Sequence, residues 1–200
     1  MADLKPSLVI MAREPVMGRV KTRLARAVGA AEALRFYRAN LAGQVKELAS
    51  PRWRTILAVT PDNAHVGALP IGRLDLVVVP QGPGDLGARM QRQFDLLPPG
   101  PVVVVGSDIP GIRRADIERA FRLLGACDAV IGPSPDGGYW LIGLKRFPRI
   151  QQIFGGVRMS SDQAYADTRS RLAGLSVGEM RMLEDVDDLP AFRRWRRAFG

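Results

Sequence analysis

The chain has very little of what most enzymes use for soft metal ligation or for proton transfer near neutral pH. Its 200 residues include one cysteine, Cys127, and one histidine, His65. A lone cysteine cannot close a disulfide within the chain, which fits a reducing compartment. A Cys/His zinc site lacks its ligands. A Ser-His-Asp triad would have to take His65 as its base, yet His65 ends the turn-like stretch Asp62-Asn-Ala-His65, where a solvent-exposed ring is expected. No apolar run approaches the roughly 20 residues of a membrane-spanning helix. The start, Met1-Ala-Asp-Leu-Lys-Pro6, is too polar and too short for a secretory signal, so the expected location is the cytoplasm. Lysine is also scarce, confined to Lys5, Lys21, Lys46 and Lys145.

Arginine, by contrast, is abundant. Lys and Arg number 29 against 20 Asp and Glu, a formal net charge of +9. Such a balance suits nucleic acid, an anionic membrane or a phosphorylated ligand, and it also arises from a plain compositional preference for Arg. Hydrophobic residues at 46% and charged residues at 24% can fill a sizeable core, and the length fits a single domain over residues 1–200.

Short β-rich runs alternate with helical periodicity, which argues for an α/β fold. Strands are predicted at 7–12, 54–59, 76–79, 102–105 and 129–131. Helices are predicted at 22–48 with a break at Gly29, at 87–97 and at 113–124. The all-apolar Val102-Val-Val-Val105 suits a central strand buried on both faces. Beyond Pro135, a strand at 138–143 follows its predecessor too closely for a crossover helix and should therefore enter the sheet antiparallel. A helix at 161–172, a strand near 179–183 and a helix at 189–198 complete the chain. The expected architecture is a three-layer sandwich around a mixed, mostly parallel central sheet.

The segment Ala12-Arg-Glu-Pro-Val-Met-Gly-Arg-Val-Lys-Thr-Arg-Leu24 leads from the first strand into a helix. Ligands of α/β folds collect at the carboxyl ends of strands, and a helix start offers free N–H groups. Arg13, Arg19, Lys21 and Arg23 bring four cations to this loop. Arg grips phosphate oxygens by a fork and Lys acts as a mobile point charge, while Gly18 permits close backbone approach. A solvated basic loop accounts for the same residues, and the spacing is not that of a Walker loop.

Three acidic segments stand out. Val102–Val105 runs into Gly106-Ser-Asp-Ile-Pro-Gly111, and an acid at the mouth of a buried strand is costly unless it serves something. Asp108 is accordingly a candidate Mg2+ ligand, or a cap for the helix that follows. In Glu184-Asp-Val-Asp-Asp188, strand alternation would point Asp185 and Asp187 the same way, toward a metal shared with Asp108. Alternatively, Asp187 or Asp188 caps the last helix. Pro135-Asp-Gly-Gly-Tyr-Trp140 reads as a tight turn, or as a backbone surface open to a flat or sugar-like ligand. Gly82-Pro-Gly-Asp-Leu-Gly87 matches the dinucleotide-binding pattern formally, but Pro83 removes a backbone donor from the turn that must grip phosphate. Gln81 is better read as a side chain able to hydrogen-bond a base edge.

Taken in order, these segments resemble the GT-A nucleotide-diphospho-sugar transferase superfamily. They resemble most the small bacterial branch named radical-SAM/selenodomain-associated transferases or DUF-type GT-A proteins, and the plan is also similar to that of cofactor guanylyltransferases. The matching stretches are 15–24, 81–90, 106–111, 132–144 and 185–187. The resemblance implies the Rossmann-like GT-A fold. It implies that Arg13, Gly18, Lys21 and Arg23 hold nucleotide phosphates, with Gln81, Gly87 and Arg89 by the base or ribose. It makes Asp108, Asp185 and Asp187 ligands of Mg2+ or Mn2+, gives Lys21, Arg23 and Asp108 the catalytic work, and puts Asp136, Gly137 and Gly138 by the acceptor. The chain departs from the family at Met159-Ser-Ser-Asp162, where a Trp-Ser-Thr-Pro-like stretch is usual, and at Asp188-Leu-Pro-Ala191, where Thr-Pro-Glu-Asp is.

The expected partners are a nucleotide or nucleotide-sugar and a small-molecule acceptor. The expected reaction is transfer of a nucleoside monophosphate from a triphosphate to a phosphorylated acceptor. Glycosyl transfer from a nucleotide-diphospho-sugar is the alternative, and a catalytically degenerate member is another. Nucleic-acid binding would use Phe192-Arg-Arg-Trp-Arg-Arg-Ala-Phe199, which interleaves aromatics with arginines. The spacing of Phe192, Trp195 and Phe199 instead puts the aromatics on one helical face, as in a docked amphipathic helix.

Overall fold

The computed structural model describes residues 4–72 and 76–199. In chain order the elements are β1 (Ser7–Arg13), α1 (Thr22–Val28), α2 (Ala30–Leu48), β2 (Arg54–Thr60), a single 3-10 turn (Val66–Ala68), β3 (Val77–Pro80), α3 (Leu86–Leu96), β4 (Val102–Gly106), α4 (Arg114–Ala126), β5 (Ala129–Pro133), β6 (Tyr139–Leu144), α5 (Ala164–Arg171), β7 (Val177–Glu179) and α6 (Leu189–Phe199). The strands form a 7-stranded sheet in the order β3-β2-β1-β4-β6-β5-β7. All neighbours are parallel except β6, which runs antiparallel to both β4 and β5. The short Pro133–Tyr139 connection allows only that direction.

The sheet is buried on both faces, and alternation along each strand divides its side chains between two cores. Leu8, Ile10 and Ala12 of β1 with Val103 and Val105 of β4 meet Tyr37, Leu41, Val45, Ile117 and Leu124 from α2 and α4. Val9 and Met11 with Val102 and Val104 meet Met90 and Phe94 of α3 and Ile153, Phe154 and Leu172 on the opposite side. Two helical layers around one mixed sheet make the expected three-layer sandwich. The helix break falls where expected: Gly29, at φ 86, closes α1 through its N–H to Ala25 O and opens α2. Among the described residues no helix is long and apolar enough to cross a membrane.

Two boundaries differ from the sequence expectation. The last strand pairs only over Val177–Glu179, and residues 180–187 then run on unpaired, held by single bonds from Met180 N to Ile131 O, Leu183 N to Pro133 O and Val186 N to Asp108 O. The chain crosses the ends of β5 and β4 here, so it cannot continue a ladder along either. Helix α5 begins at Ala164 rather than 161 because Ala164 N bonds back to Ser161 O in a turn.

Candidate active site

β1 lies between β2 and β4, so the chain leaves β1 toward one side of the sheet and returns on the other. Such a switch point leaves a crevice at the strand ends. Here it is a cleft of about 920 Å³. A polar stripe on α2 holds its floor. Tyr37 Oη accepts from Arg13 N (2.9 Å), donates to Arg13 O (3.0 Å) and lies 3.2 Å from Ser107 Oγ. Asn40 Nδ2 donates to Ser107 O and Gln44 Nε2 to Gly106 O. One helix therefore sets the carboxyl ends of β1 and β4 relative to each other. Burial pushes the Tyr37 phenol pKa up, so it stays a neutral hydrogen-bonding group.

The basic loop is shaped by its own backbone. Glu14 N reaches Thr60 O, Val16 N reaches Glu14 O, and Arg19 N reaches Val16 O. Val20 is buried as an anchor. Lys21 follows in the left-handed region at φ 48 and begins α1 with no side-chain cap. That conformation costs a non-glycine residue about 1 kcal/mol. It turns the Lys21 side chain inward to 4% exposure, its ammonium 3.0 Å from Asp108 Oδ2 and 2.5 Å from Asp187 Oδ1.

Asp108 stands just past β4. Asp185 and Asp187 come from the unpaired run, and the alternation expected there holds. Val186 turns into a core with Leu24, Phe36 and Phe192, while its N–H bonds Asp108 O. Asp185 and Asp187 face the other way, and carboxylate oxygens of Asp108, Asp185 and Asp187 all lie within 4.8 Å of one another. Burial and then the Asp108 and Asp187 charges raise the Asp185 pKa to about 7. For Lys21, burial works against the charge, but Asp108 and Asp187 outweigh it and its pKa ends above the ordinary value. The trio has more negative charge than one ammonium balances, and its donors are hard oxygens. A divalent cation of the Mg2+ class fits that donor set. Asp188 caps α6, accepting from Ala191 N, which was the alternative role weighed for this segment.

Arg13, Lys21, Arg23, Gln81, Arg89, Asp108, Asp136, Gly138, Asp185 and Asp187 all line this one cleft. Gly18, Gly87 and Gly137 do not, and each is a glycine for a structural reason. Gly18 sits at φ 75 in the loop reversal. A Cβ on Gly87 would lie 3.1 Å from Phe154 and Met159, so it packs α3 against residues 154–159. A Cβ on Gly137, at φ 82, would lie 2.1 Å from Asp162 O. Gln81 is only 4% exposed, and its Nε2 donates to Ala12 O and Ala58 O, which leaves Oε1 for any ligand. Arg89 is steadied by Gly84 O and Thr60 Oγ1. The 82–87 loop does not grip phosphate as a dinucleotide fold would: Arg92 covers it, donating to Gln81 O and Pro83 O, and Asp85 caps α3. Trp140 is buried beneath Gly132 and donates to Arg181 O, so it presents no ring to a ligand. His65 is exposed, as expected.

The sequence reading passed over Tyr37, Asn40 and Gln44, whose i, i+3, i+7 spacing on an otherwise apolar helix face was the available signal. It also passed over Ser134, Ser160 and Asp162, which complete the cleft.

Known proteins share this arrangement. A 2-phospho-L-lactate guanylyltransferase from Methanopyrus kandleri is 29% identical over 176 residues, 86% of this chain and 82% of that protein. A provisionally named nucleotide-diphospho-sugar transferase from Desulfovibrio desulfuricans G20 matches with a TM-score of 0.83 at 29% identity, over 94% of this chain and 84% of that one. Glucosyl-3-phosphoglycerate synthase from Mycobacterium tuberculosis, solved with Mn2+, uridine diphosphate and glucosyl-3-phosphoglycerate, matches in fold at 10% identity with a TM-score of 0.57, over 92% of this chain and 71% of that one. The fold is that of the GT-A-type nucleotide-diphospho-sugar transferases, as the resemblance implied. The family described as "Uncharacterized protein conserved in bacteria (DUF2064)" matches residues 44–161, and the chain belongs to it.

Proposed function

We infer that the protein is a cytoplasmic, single-domain, metal-dependent nucleotidyltransferase that moves a nucleoside monophosphate from a nucleoside triphosphate to a phosphorylated small-molecule acceptor. One observation carries this reading: Lys21 meets the Asp108, Asp185 and Asp187 carboxylates in the same cleft that presents Arg13, Arg19 and Arg23. Charge of both signs at such density suits phosphates that share a hard cation with the protein. Similarity to a protein named guanylyltransferase over most of the chain supports it.

Asp108, Asp185 and Asp187 would hold Mg2+ or Mn2+, and the bound ion would supply Lewis acidity at the phosphoryl oxygens. The chain's own side chains do the rest. Lys21 trades its carboxylate partners for phosphate oxygens when a nucleotide enters. With Arg23, Arg13 and Arg19 it offsets the charge that grows on the departing pyrophosphate. An acceptor phosphate oxygen forms the new bond to the α-phosphorus, and the bond from that phosphorus to the α–β bridging oxygen breaks. Pyrophosphate leaves with that electron pair. Gln81, through Oε1, and Arg89 flank the base or ribose. Asp136 and Gly138 border the acceptor.

Glycosyl transfer from a nucleotide-diphospho-sugar uses the same nucleotide grip, and the likeness to the Desulfovibrio protein favours it. Nucleic-acid binding loses its basis, because Phe192 and Trp195 stack on each other and against Phe36. The Phe199 side chain lies outside the described residues. The test is pyrophosphate release with Mg2+, each nucleoside triphosphate and a panel of phosphorylated acceptors. Release with at least one acceptor is expected. Consumption of nucleotide sugars with no pyrophosphate from any triphosphate assigns glycosyl transfer instead.

A further inference from the structure

The two walls of the cleft differ in charge. Its cations, Arg13, Arg19, Lys21, Arg23 and Arg89, all come from the β1 loop, α1 and α3. The wall built by residues 134–142 and 159–164 contributes Ser134, Asp136, Tyr139, Ser160, Ser161 and Asp162 among its polar side chains, and none of its described lining residues is basic. The nearby Arg158 does not supply the missing charge. Its Nε and Nη2 each sit 2.8 Å from the Asp167 carboxylate, outside the cleft lining.

This wall is a constructed surface. Gly137 lets the turn of the β5–β6 hairpin touch the backbone of Asp162, and Tyr165 N bonds Gly137 O at 2.9 Å. Asp136 and Asp162 are thereby held on two abutting turns. Asp136 uses Oδ1 to accept from Gly138 N and keeps Oδ2 free. Ser134 is 9% exposed and lines the cleft. Its hydroxyl has no hydrogen-bond partner among the described residues, a state that is unfavourable for a buried polar group unless something outside the fold completes it. Tyr139 contributes a phenol whose pKa burial pushes up to about 12, so it remains a neutral donor.

We propose that this wall binds the body of the acceptor through its hydroxyl groups, and that the acceptor is a polyhydroxylated phosphate monoester carrying no second anionic group. Asp136 and Asp162 accept hydrogen bonds from acceptor hydroxyls, and Ser134 donates to or accepts from one. A carboxylate at the same place would face two carboxylates with no cation beside it. The phosphate end of the acceptor meets Lys21 and the cationic wall. The inference rests on the nucleotidyltransferase reading for the position of the acceptor and adds its chemical class.

A matched pair of sugar phosphates tests it. Glucose 1-phosphate and glucuronic acid 1-phosphate differ only in a hydroxymethyl group replaced by a carboxylate. Their affinities are read by calorimetry on the full chain with Mg2+ and a non-hydrolysable nucleoside triphosphate, with 2-phospholactate as a compact phosphocarboxylate. Glucose 1-phosphate should bind at least about tenfold tighter than either carboxylate, the scale of one unfavourable charge contact at a partly exposed site. In the Asp136→Asn/Asp162→Asn double variant, checked for an unchanged melting temperature, the ratio should fall to about threefold or less. Equal or tighter binding of a carboxylate overturns the proposal, as do absent binding of glucose 1-phosphate and a ratio that persists in the double variant. Should the double variant melt early, the Ser134→Ala variant substitutes, with an expected loss of about fivefold for glucose 1-phosphate. Metal-dependent binding of the nucleotide analogue is measured first on the same protein. Its failure sinks the nucleotidyltransferase reading itself, a result distinct from failure of the acceptor arm alone.

Discussion

The β1–α1 loop and the β5–β6 hairpin face each other across one cleft and are built in opposite ways. The loop is held by a few backbone bonds and by one ion cluster, with a lysine in a left-handed conformation and exposed arginines around it. The hairpin is held by backbone contact that leaves no room for a single added carbon at Gly137. The first wall concentrates charge on long side chains, and the second fixes short hydroxyls and carboxylates. Long charged side chains follow a ligand whose phosphates are common to many nucleotides. Short groups on rigid turns discriminate by shape. Donor capture and acceptor choice are thus assigned to different kinds of structure.

The largest expected effect breaks the charged side of this contrast. Asp108→Ala should weaken Mn2+-dependent nucleotide binding by about 100-fold or more, because it removes a ligand and leaves Lys21 with one partner. Calorimetry with and without Mn2+ reads this, and unchanged binding would remove Asp108 from the metal site.

The rigid wall is broken next. Gly137→Ala forces a Cβ into Asp162 O at a position with φ 82. Stability to urea should fall by about 2–3 kcal/mol. A variant as stable as the parent would show that the two turns separate freely.

Lys21→Met sharpens the comparison. Lys21 neutralises two carboxylates before any ligand arrives. Without it, Mn2+ alone should bind about tenfold tighter and the nucleotide about tenfold weaker, on the scale of one close ion pair. Paramagnetic resonance of free Mn2+ separates the two, and a loss of Mn2+ affinity would mean that Lys21 organises the site rather than competing for it.

The smallest effect lies away from the cleft and tests whether its supports are electrostatic. Asp116 accepts from Arg181 through both carboxylate oxygens and from Arg113 N. Burial pushes its pKa up, but the Arg181 hydrogen bonds and the Arg113 N–H pull it below the ordinary value. A depressed folded pKa contributes stability that is fully present above the unfolded value near ~4 and lost as pH falls through the folded value. Asp116→Asn should therefore be less stable than the parent by about 1 kcal/mol at neutral pH, with the gap closing below pH ~4. A gap that does not change with pH points to packing instead.

Much of this was legible in the chain. Val102–Val105 read as a doubly buried strand, and the short path to Tyr139 required an antiparallel partner. Gly29 read as a helix break. Alternation in 184–188 put Asp185 and Asp187 on one side, because a period of two survives even where the segment pairs with nothing. The glycines were read less well. Gly18, Gly87 and Gly137 were expected at the ligand, and they answer to a turn, a helix contact and a backbone contact. A glycine signals that space or conformation is limited but does not say by what. Gln81 was expected to offer its whole amide to a base, and the ends of β1 and β2 take its donor half. Tyr37, Asn40 and Gln44 went unread because their partners are main-chain groups some 24 to 70 residues away.

By itself, then, the sequence determined the alternation of strands and helices, the position of the basic loop after β1 and the presence of acids after β4 and before α6. These follow from local periodicity and composition, which act over a few residues. Only the tertiary structure decided that Lys21 lies between Asp108 and Asp187, and that Ser134, Asp136 and Asp162 share a wall without a cation. Those are distances between segments up to 166 residues apart, set by strand order and by which backbone can approach which.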